Sequence, residues 1–468
     1  MSKWENYQSP FSWRYASPAM RRLWSEQHKR ELWRQIWLVL AETQQEFGLV
    51  RSDQVEDLRA NVAQVDLPRA LEIEAEIHHD LMAELKTYAE QCPVGGGILH
   101  LGATSMDIED NADALRLAAA LELILERLDD LLQAFAQRIT ETAALPVMAY
   151  THLQPAEPTT LGYRLASYAQ DLLADQADLV KVRSGLKGKG FKGAVGTAAA
   201  YGDLLGVNRL VEFEESLSKR LGLTFYPVTT QTYPRKQDYR IVSALAGIGA
   251  SLYKFAFDLR IMQSPSIGEW AEPFSKKQVG SSAMPFKRNP IQAEKIDSLA
   301  RSLASLPQTA WHNAAHSLLE RTLDDSANRR SLLPEAFLIT DELLSSAHRL
   351  VKGMHFNETA IRRNLDQYAP FAATERVLMA LARAGADRQL MHEKLREHAL
   401  AAWEAVQAGH PNPLRGSLKA DHEIGALLDA DQLQGLLQVE GYTGFATDRA
   451  REIARQIESE ISRKKQPA

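Results

Sequence analysis

The segment Gly280-Ser281-Ser282-Ala283-Met284-Pro285-Phe286-Lys287-Arg288-Asn289-Pro290 gathers groups that handle an anion. It offers two hydroxyls, two cations and an amide, no carboxylate, and two prolines that forbid a continuous helix. Asn289 followed by Pro290 reads as a helix cap with proline in the first turn, adding the positive end of the next helix to the same place. A neutral serine is too weak to remove a carbon-bound proton. Its alkoxide can do so where ammonium, amide and backbone donors make the charge tolerable. Ser281 and Ser282 are the two candidates.

Five other segments carry polar groups of interest. Ile77-His78-His79-Asp80 sits in a stretch of helical pattern, where neighbouring side chains diverge and do not converge on a metal. Gly95 to Asp107 is too glycine-rich for a helix and delivers His100, Thr104 and Ser105, the last two being also good helix caps. Thr151-His152-Leu153-Gln154-Pro155-Ala156-Glu157-Pro158 exposes His152 at a proline-broken turn, and Gln231 stands in a polar turn of its own. Glu320-Arg321-Thr322-Leu323-Asp324-Asp325-Ser326-Ala327-Asn328-Arg329-Arg330 supplies the arginine forks and hydroxyl that suit a phosphate.

Two patterns are set aside. Gly188-Lys189-Gly190-Phe191-Lys192-Gly193 matches Gly-x-Gly-x-x-Gly, but it follows a long helix with no strand before it and reads as a flexible turn rather than a dinucleotide site. His312 and His316 are four residues apart with Glu320 one turn on, yet no His-Glu-x-x-His is present, and a solvated or inter-subunit face is expected. No metal and no cofactor is expected.

The order Gly-Ser-Ser-Ala-Met-Pro-x-Lys-Arg-Asn-Pro resembles the signature loop of the fumarase/aspartase superfamily, and Thr-His-x-Gln-Pro-Ala at 151–156 resembles that superfamily's acid-bearing segment. The 320–330 run resembles its adenylosuccinate lyase family, in particular the animal-type branch. The resemblance covers nearly the whole chain and implies elimination of fumarate from a succinyl nucleotide. It implies Ser281 as base and His152 as acid, with Lys287 and Asn289 gripping a substrate carboxylate. It puts Thr104 and Ser105 on a carboxylate with His100 nearby, His79 in the site beside His78 and Asp80, and Gln231 on the substrate. Arg14, Tyr15, Arg321, Ser326 and Arg330 are implied for the nucleotide's phosphate and sugar. Two positions depart from the usual arginine: His78, and Lys295, where the cation survives without the bidentate fork. The family also implies a homotetramer whose active sites are shared between subunits. A sister lyase acting on argininosuccinate fits the 321–330 segment less well, and a relative that keeps the bundle without the chemistry fits the intact His152, Ser281, Lys287 and Asn289 less well.

These loops need long elements to hold them. Between Ile108 and Leu145 there is neither glycine nor proline, and leucines keep helical spacing. Comparable stretches run over 159–186, 236–263, 290–316 and 328–351, and a shorter helix before Gly48 carries Leu32, Trp33, Ile36, Trp37 and Leu40 on one face. Strand signals are confined to places such as 228–233. The expected fold is all-α: an N-terminal helical domain over 1–106, a central long-helix bundle over 107–355 that assembles into a multi-subunit core, and a C-terminal helical domain over 356–468, with the helical pattern shortening from about His355. Of the 468 residues, 45% are hydrophobic and 24% charged, enough for large cores, and the net charge of −6 argues against a nucleic-acid binder. The single cysteine, Cys92, allows no internal disulfide. The first residues, Met-Ser-Lys-Trp-Glu-Asn, start no apolar leader, no later run is expected to span a bilayer, and the expected location is the cytoplasm.

Overall fold

The computed structural model describes residues 5–465 apart from Glu440, so Met1 to Trp4, on which the reading of the leader rests, lie outside the described residues. In chain order the helices begin with α1 (Pro18–Leu23), α2 (Glu26–Glu46), α3 (Ser52–Asn61), α4 (Leu67–Ile77), α5 (Asp80–Gln91) and α6 (Ser105–Thr142). A hairpin of β1 (Pro146–Thr151) and β2 (Gln154–Thr160) precedes α7 (Leu161–Ser184), α8 (Ala199–Leu205), α9 (Leu210–Leu221) and α10 (Lys236–Gln263). Next come β3 (Trp270–Ala271), α11 (Ile291–Ala315), α12 (Ser326–Gly353) and β4 (His355–Phe356), the two strands pairing antiparallel. The chain ends in α13 (Glu358–Arg383), α14 (Arg388–Gln407), α15 (Leu414–Ala420), α16 (His422–Leu427), α17 (Ala430–Leu436) and α18 (Ala446–Lys465). The expected all-helical fold holds, and the five long stretches are α6, α7, α10, α11 and α12.

The chain divides into two compact units: Met1–Leu128, Asp175–Ala250 and Ser298–Ser345 form the first, and Asp129–Ala174, Ser251–Asp297 and Ser346–Ala468 the second. In the first, Ser25 caps α2 by accepting from the His28 N–H at 3.2 Å, and Trp33, Ile36, Trp37 and Leu40 fill its buried face. Glu84 on α5 takes Arg30 at 3.1 Å and Arg34 at 2.6 Å, all three side chains being buried, so α2 and α5 are tied by a buried charge cluster. In the second, Leu378, Leu381, Met391, Leu395, Leu414, Leu418, Ile424 and Leu433 form one apolar cluster among α13 to α17.

Several expectations change. The strand at 228–233 is absent: the Tyr233 N–H goes to Asp110 Oδ2 at 2.7 Å and the Gln231 N–H to the Glu320 carbonyl at 3.2 Å, so these two donors are taken outside any ladder. The strands lie instead at 146–160, where the prolines signalled only a break. Pro158 pairs with Met148 and Pro155 with Tyr150 at an irregular register, as an edge tolerates. Helices shorten only after Gln407, not at His355. α10 is long and apolar enough to cross a membrane, with a mean hydropathy of 1.2 over an 18-residue stretch, but Ile241, Leu245, Ile248, Leu252, Phe255 and Leu259 recur at three-to-four spacing and are buried.

Candidate active site

In the first unit, the Ile77-His78-His79-Asp80 run is not continuous helix. His78 closes α4 in the left-handed conformation at φ 55°, and His79 opens α5 as its N-cap, its Nδ1 accepting from the Met82 N–H at 3.4 Å. This break aims Asp80 at α12, where its Oδ2 receives Nη2 of Arg330 at 3.0 Å. Asp80, Arg321, Ser326 and Arg330 line one cavity of about 110 Å³. Lys29, Glu109, Asp113, Arg116 and Arg329 line it too, and sequence reasoning missed them because their spacing on α2, α6 and α12 is that of ordinary solvated helix faces.

Under that cavity the cations are sorted by buried acids. Arg235 bonds Asp325 at 2.5 Å and Asp110 at 3.0 Å; Arg329 bonds Asp238 at 2.8 Å, the Tyr233 hydroxyl at 2.8 Å and Asp113 at 3.2 Å. Arg321 is held by Asp325 at 2.5 Å within its own motif. Burial works against the charge on Asp325, but Arg235, Arg329 and Arg321 overcome it and hold the carboxyl below its ordinary value. Adjacent arginines thus differ in kind: Arg329 is buried and spent on the scaffold, while Arg330 is 59% exposed and has a single carboxylate partner.

Next to α6, Trp37 donates its indole N–H to His100 Nδ1 at 3.1 Å. Indole can only donate, so the His100 proton sits on Nε2, and burial, its main cause, lowers the imidazole's pKa. Thr104 and Ser105 stand at the start of α6, where the Thr104 N–H is taken by Asp107 at 2.9 Å. Gln231 is fixed through its backbone at Glu320. Arg14 is exposed beside the rings of Trp13 and Tyr15. Gly188 to Gly193, expected as a flexible turn, is instead fully buried, with Lys189 bonded to Asp107.

In the second unit His152 and Leu153 are the two tip residues of the β1–β2 hairpin, with Thr151 and Gln154 paired beneath them. Both have positive φ, 54° and 61°, the backbone of a mirror-image turn that favours Asn-Gly. A histidine and a leucine there are held against preference, as happens where a side chain is needed. His152 lines a cavity of about 450 Å³ with Tyr150, Arg164, Tyr168, Lys254 and Asp258.

The 280–290 loop folds on itself. Asn289 Nδ2 donates to the Gly280 carbonyl at 3.2 Å, and a Cβ on Gly280 would lie 2.1 Å from the Lys287 carbonyl oxygen, so only glycine fits. Ser281 Oγ accepts the Met284 N–H at 3.1 Å and the Ala283 N–H at 3.3 Å. Ser281 is half-buried and Ser282 exposed. Two backbone donors on one oxygen suit an alkoxide, and they fall on Ser281. Lys287 is exposed on the loop and Lys295 half-buried in the second turn of α11. No residue of 280–290 lines the His152 cavity.

A family model described as a lyase matches residues 18–304, and one described as an adenylosuccinate lyase C-terminus matches 370–453. Adenylosuccinate lyase of Schistosoma mansoni is 39% identical over 90% of this chain and 89% of its own. The chain belongs to the adenylosuccinate lyase family. The Saccharomyces cerevisiae member is 36% identical over 100% of this chain and 97% of its own, and that of Pyrococcus abyssi 34% over 96% and 98%. Among solved structures, a 3-carboxy-cis,cis-muconate lactonizing enzyme of Pseudomonas putida matches with a TM-score of 0.84 at 26% identity, covering 97% of this chain and 100% of that one. A fumarate lyase from Mesorhizobium sp. BNC1 matches with 0.83 at 25%, covering 96% and 99%.

Among the described residues no group of three or more His, Cys, Asp or Glu could hold a metal ion. His312 and His316 are stacked with ring centroids 5.1 Å apart, and Glu320 lies in the non-helical segment after α11, which ends at Ala315.

Proposed function

We propose that this lyase eliminates fumarate from adenylosuccinate to give AMP, and from the succinyl-aminoimidazole-carboxamide ribotide to give the aminoimidazole-carboxamide ribotide. The observation that carries the reading is the Ser281 hydroxyl with two backbone N–H groups on its oxygen. As alkoxide, Ser281 removes the proton from the carbon beside a succinyl carboxylate, and the electron pair is held on that carboxylate while the C–N bond breaks. His152 gives its proton to the departing nitrogen, help that typically contributes roughly 10²–10⁴-fold in rate. Thr104, Ser105, Lys287 and Asn289 take the carboxylates, with His100 offering its Nε2–H and Gln231 a further bond. Arg14, Tyr15, Arg321, Ser326 and Arg330 take the phosphate and sugar, with His78, His79, Asp80 and Lys295 bordering the substrate.

The animal-type branch remains our placement within the family, on the 320–330 segment. The absence of any 280–290 residue from the His152 cavity supports assembly into a homotetramer whose sites combine chains. We keep a division into 1–106, 107–355 and 356–468 as the functional one, and place the enzyme in the cytoplasm. An ultraviolet assay with adenylosuccinate, AMP and fumarate being identified by chromatography, tests the reaction; a folded protein that turns over argininosuccinate instead would overturn it.

A further inference from the structure

The Gly188–Gly193 loop has no part in the chemistry above, yet it is among the most constrained segments of its unit. Asp107, fully buried, accepts at Oδ2 the Thr104 N–H at 2.9 Å and at Oδ1 the Lys192 N–H at 3.1 Å, the Gly193 N–H at 3.2 Å and the ammonium of Lys189. Lys189, also fully buried, donates a second bond to the Gly193 carbonyl at 3.0 Å. One turn along α6, Asn111 holds both backbone groups of Gly190, at 3.0 and 3.1 Å. Three residues beyond the loop, at Gly196, the chain lies against the backbone just before Gln231: a Cβ there would stand 2.0 Å from the Thr229 carbonyl oxygen.

We propose that Asp107 is a positioning residue for the Thr104–Ser105 turn, with Lys189 as the counter-ion that lets a dianionic succinyl group bind beside it. This deepens the functional reading above and rests on it. Asp107 fixes the backbone of Thr104, and the buried loop sets the distance from that turn to the Gln231 segment. A carboxylate so close to a carboxylate site would repel its ligand. Lys189 cancels the charge without exposing a donor to solvent, which a surface lysine would not do.

The test separates the two halves of the product pair. With the full-length enzyme, fumarate and AMP are measured as inhibitors of adenylosuccinate turnover, and each alone as a ligand by calorimetry. Lys189→Met is expected to weaken fumarate roughly 10-fold or more, a scale set by small displacements and uncompensated charge in preorganised sites, with AMP within about 2-fold. Asp107→Asn added to Lys189→Met removes the stranded charge, keeps one side-chain oxygen to accept the Thr104 N–H, and so restores most of the fumarate affinity. This double variant also serves if the single one fails to fold, since it should then refold with fumarate binding near that of the unaltered chain. Equal losses for fumarate and AMP, or no rescue of fumarate affinity in the double variant, would overturn the proposal and leave the loop a scaffold. If the unaltered enzyme neither turns over adenylosuccinate nor binds fumarate, the functional reading falls and this inference with it; turnover with an unchanged fumarate affinity in Lys189→Met sinks the inference alone.

Discussion

Asp80 Oδ2 and Arg330 Nη2, 250 residues apart in sequence, meet at 3.0 Å across the cavity that also holds Arg321 and Ser326. The pair joins the break between α4 and α5 to the first turns of α12. It keeps an exposed guanidinium in one orientation without burying it, so the fork remains open to a ligand.

Arg330→Lys should therefore keep the charge and lose the fork. We expect the KM for adenylosuccinate and the inhibition constant for AMP to rise by about 10-fold, the scale of one lost charge-assisted hydrogen bond. Inhibition by fumarate should be unchanged. Steady-state kinetics with both products as inhibitors checks this, and Arg329→Lys, which breaks the buried network, should instead lower the Tm.

The hairpin tip stores strain. Leu153→Gly should stabilise the protein by about 1 kcal/mol, since a non-glycine residue in the left-handed region costs of that order. His152→Asn should also raise the Tm slightly while removing roughly 10²–10⁴-fold of kcat. Calorimetry and kinetics on the same two variants would show stability and turnover moving in opposite directions for His152.

Between the serines the difference should be large. Ser281→Ala should abolish measurable turnover while still binding AMP, and Ser282→Ala should keep most of it. Gly280→Ala must displace the Lys287 carbonyl, so kcat should fall with little change in Tm. Near-normal turnover by Ser281→Ala would move the base elsewhere.

The cavity beside Asp80 and Arg330 should have its own pH dependence. Glu109, half-buried beside Asp80, Asp113 and Asp110, has its carboxyl pushed up to about 8, first by burial and then by those acids. Below that value it is neutral and spares a phosphate; above it a new negative charge faces the ligand. AMP affinity should fall as pH rises through about 8, and Glu109→Gln should flatten that limb in calorimetric titrations. The folded state's raised pKa gives the sign for stability. The contribution of the neutral carboxyl is fully present below its ordinary 4.5 and is lost as pH rises through about 8. Glu109→Gln should reduce the fall in Tm over that range.

Long helices were legible because each advertises itself many times over: α6 repeats its apolar spacing across 38 residues without a breaker. The loops were legible through composition: 280–290 and the 151–154 turn both lie outside the helices. Shape was not. Pro155 and Pro158 spoke for a turn, and only the pairing with Tyr150 and Met148 makes them an edge strand. His78 looked helical because its left-handed backbone leaves no mark in composition. Lys29, Glu109 and Arg116 look like any charged residue on a helix until two helices bring them to one cavity. The burial of Lys189 was equally hidden, because its carboxylate partner is 82 residues away.

Cys92 is the chain's one cysteine, buried, with its thiol pushed up to about 11 by burial and by Asp57. At neutral pH it is a thiol almost without nucleophile, shielded from reagents. The native protein is therefore a silent background for thiol labelling. A cysteine introduced at exposed Ser282 or Leu153 would take a fluorophore or spin label alone, and the signature loop and the hairpin tip can be followed during turnover without first removing a residue from the core.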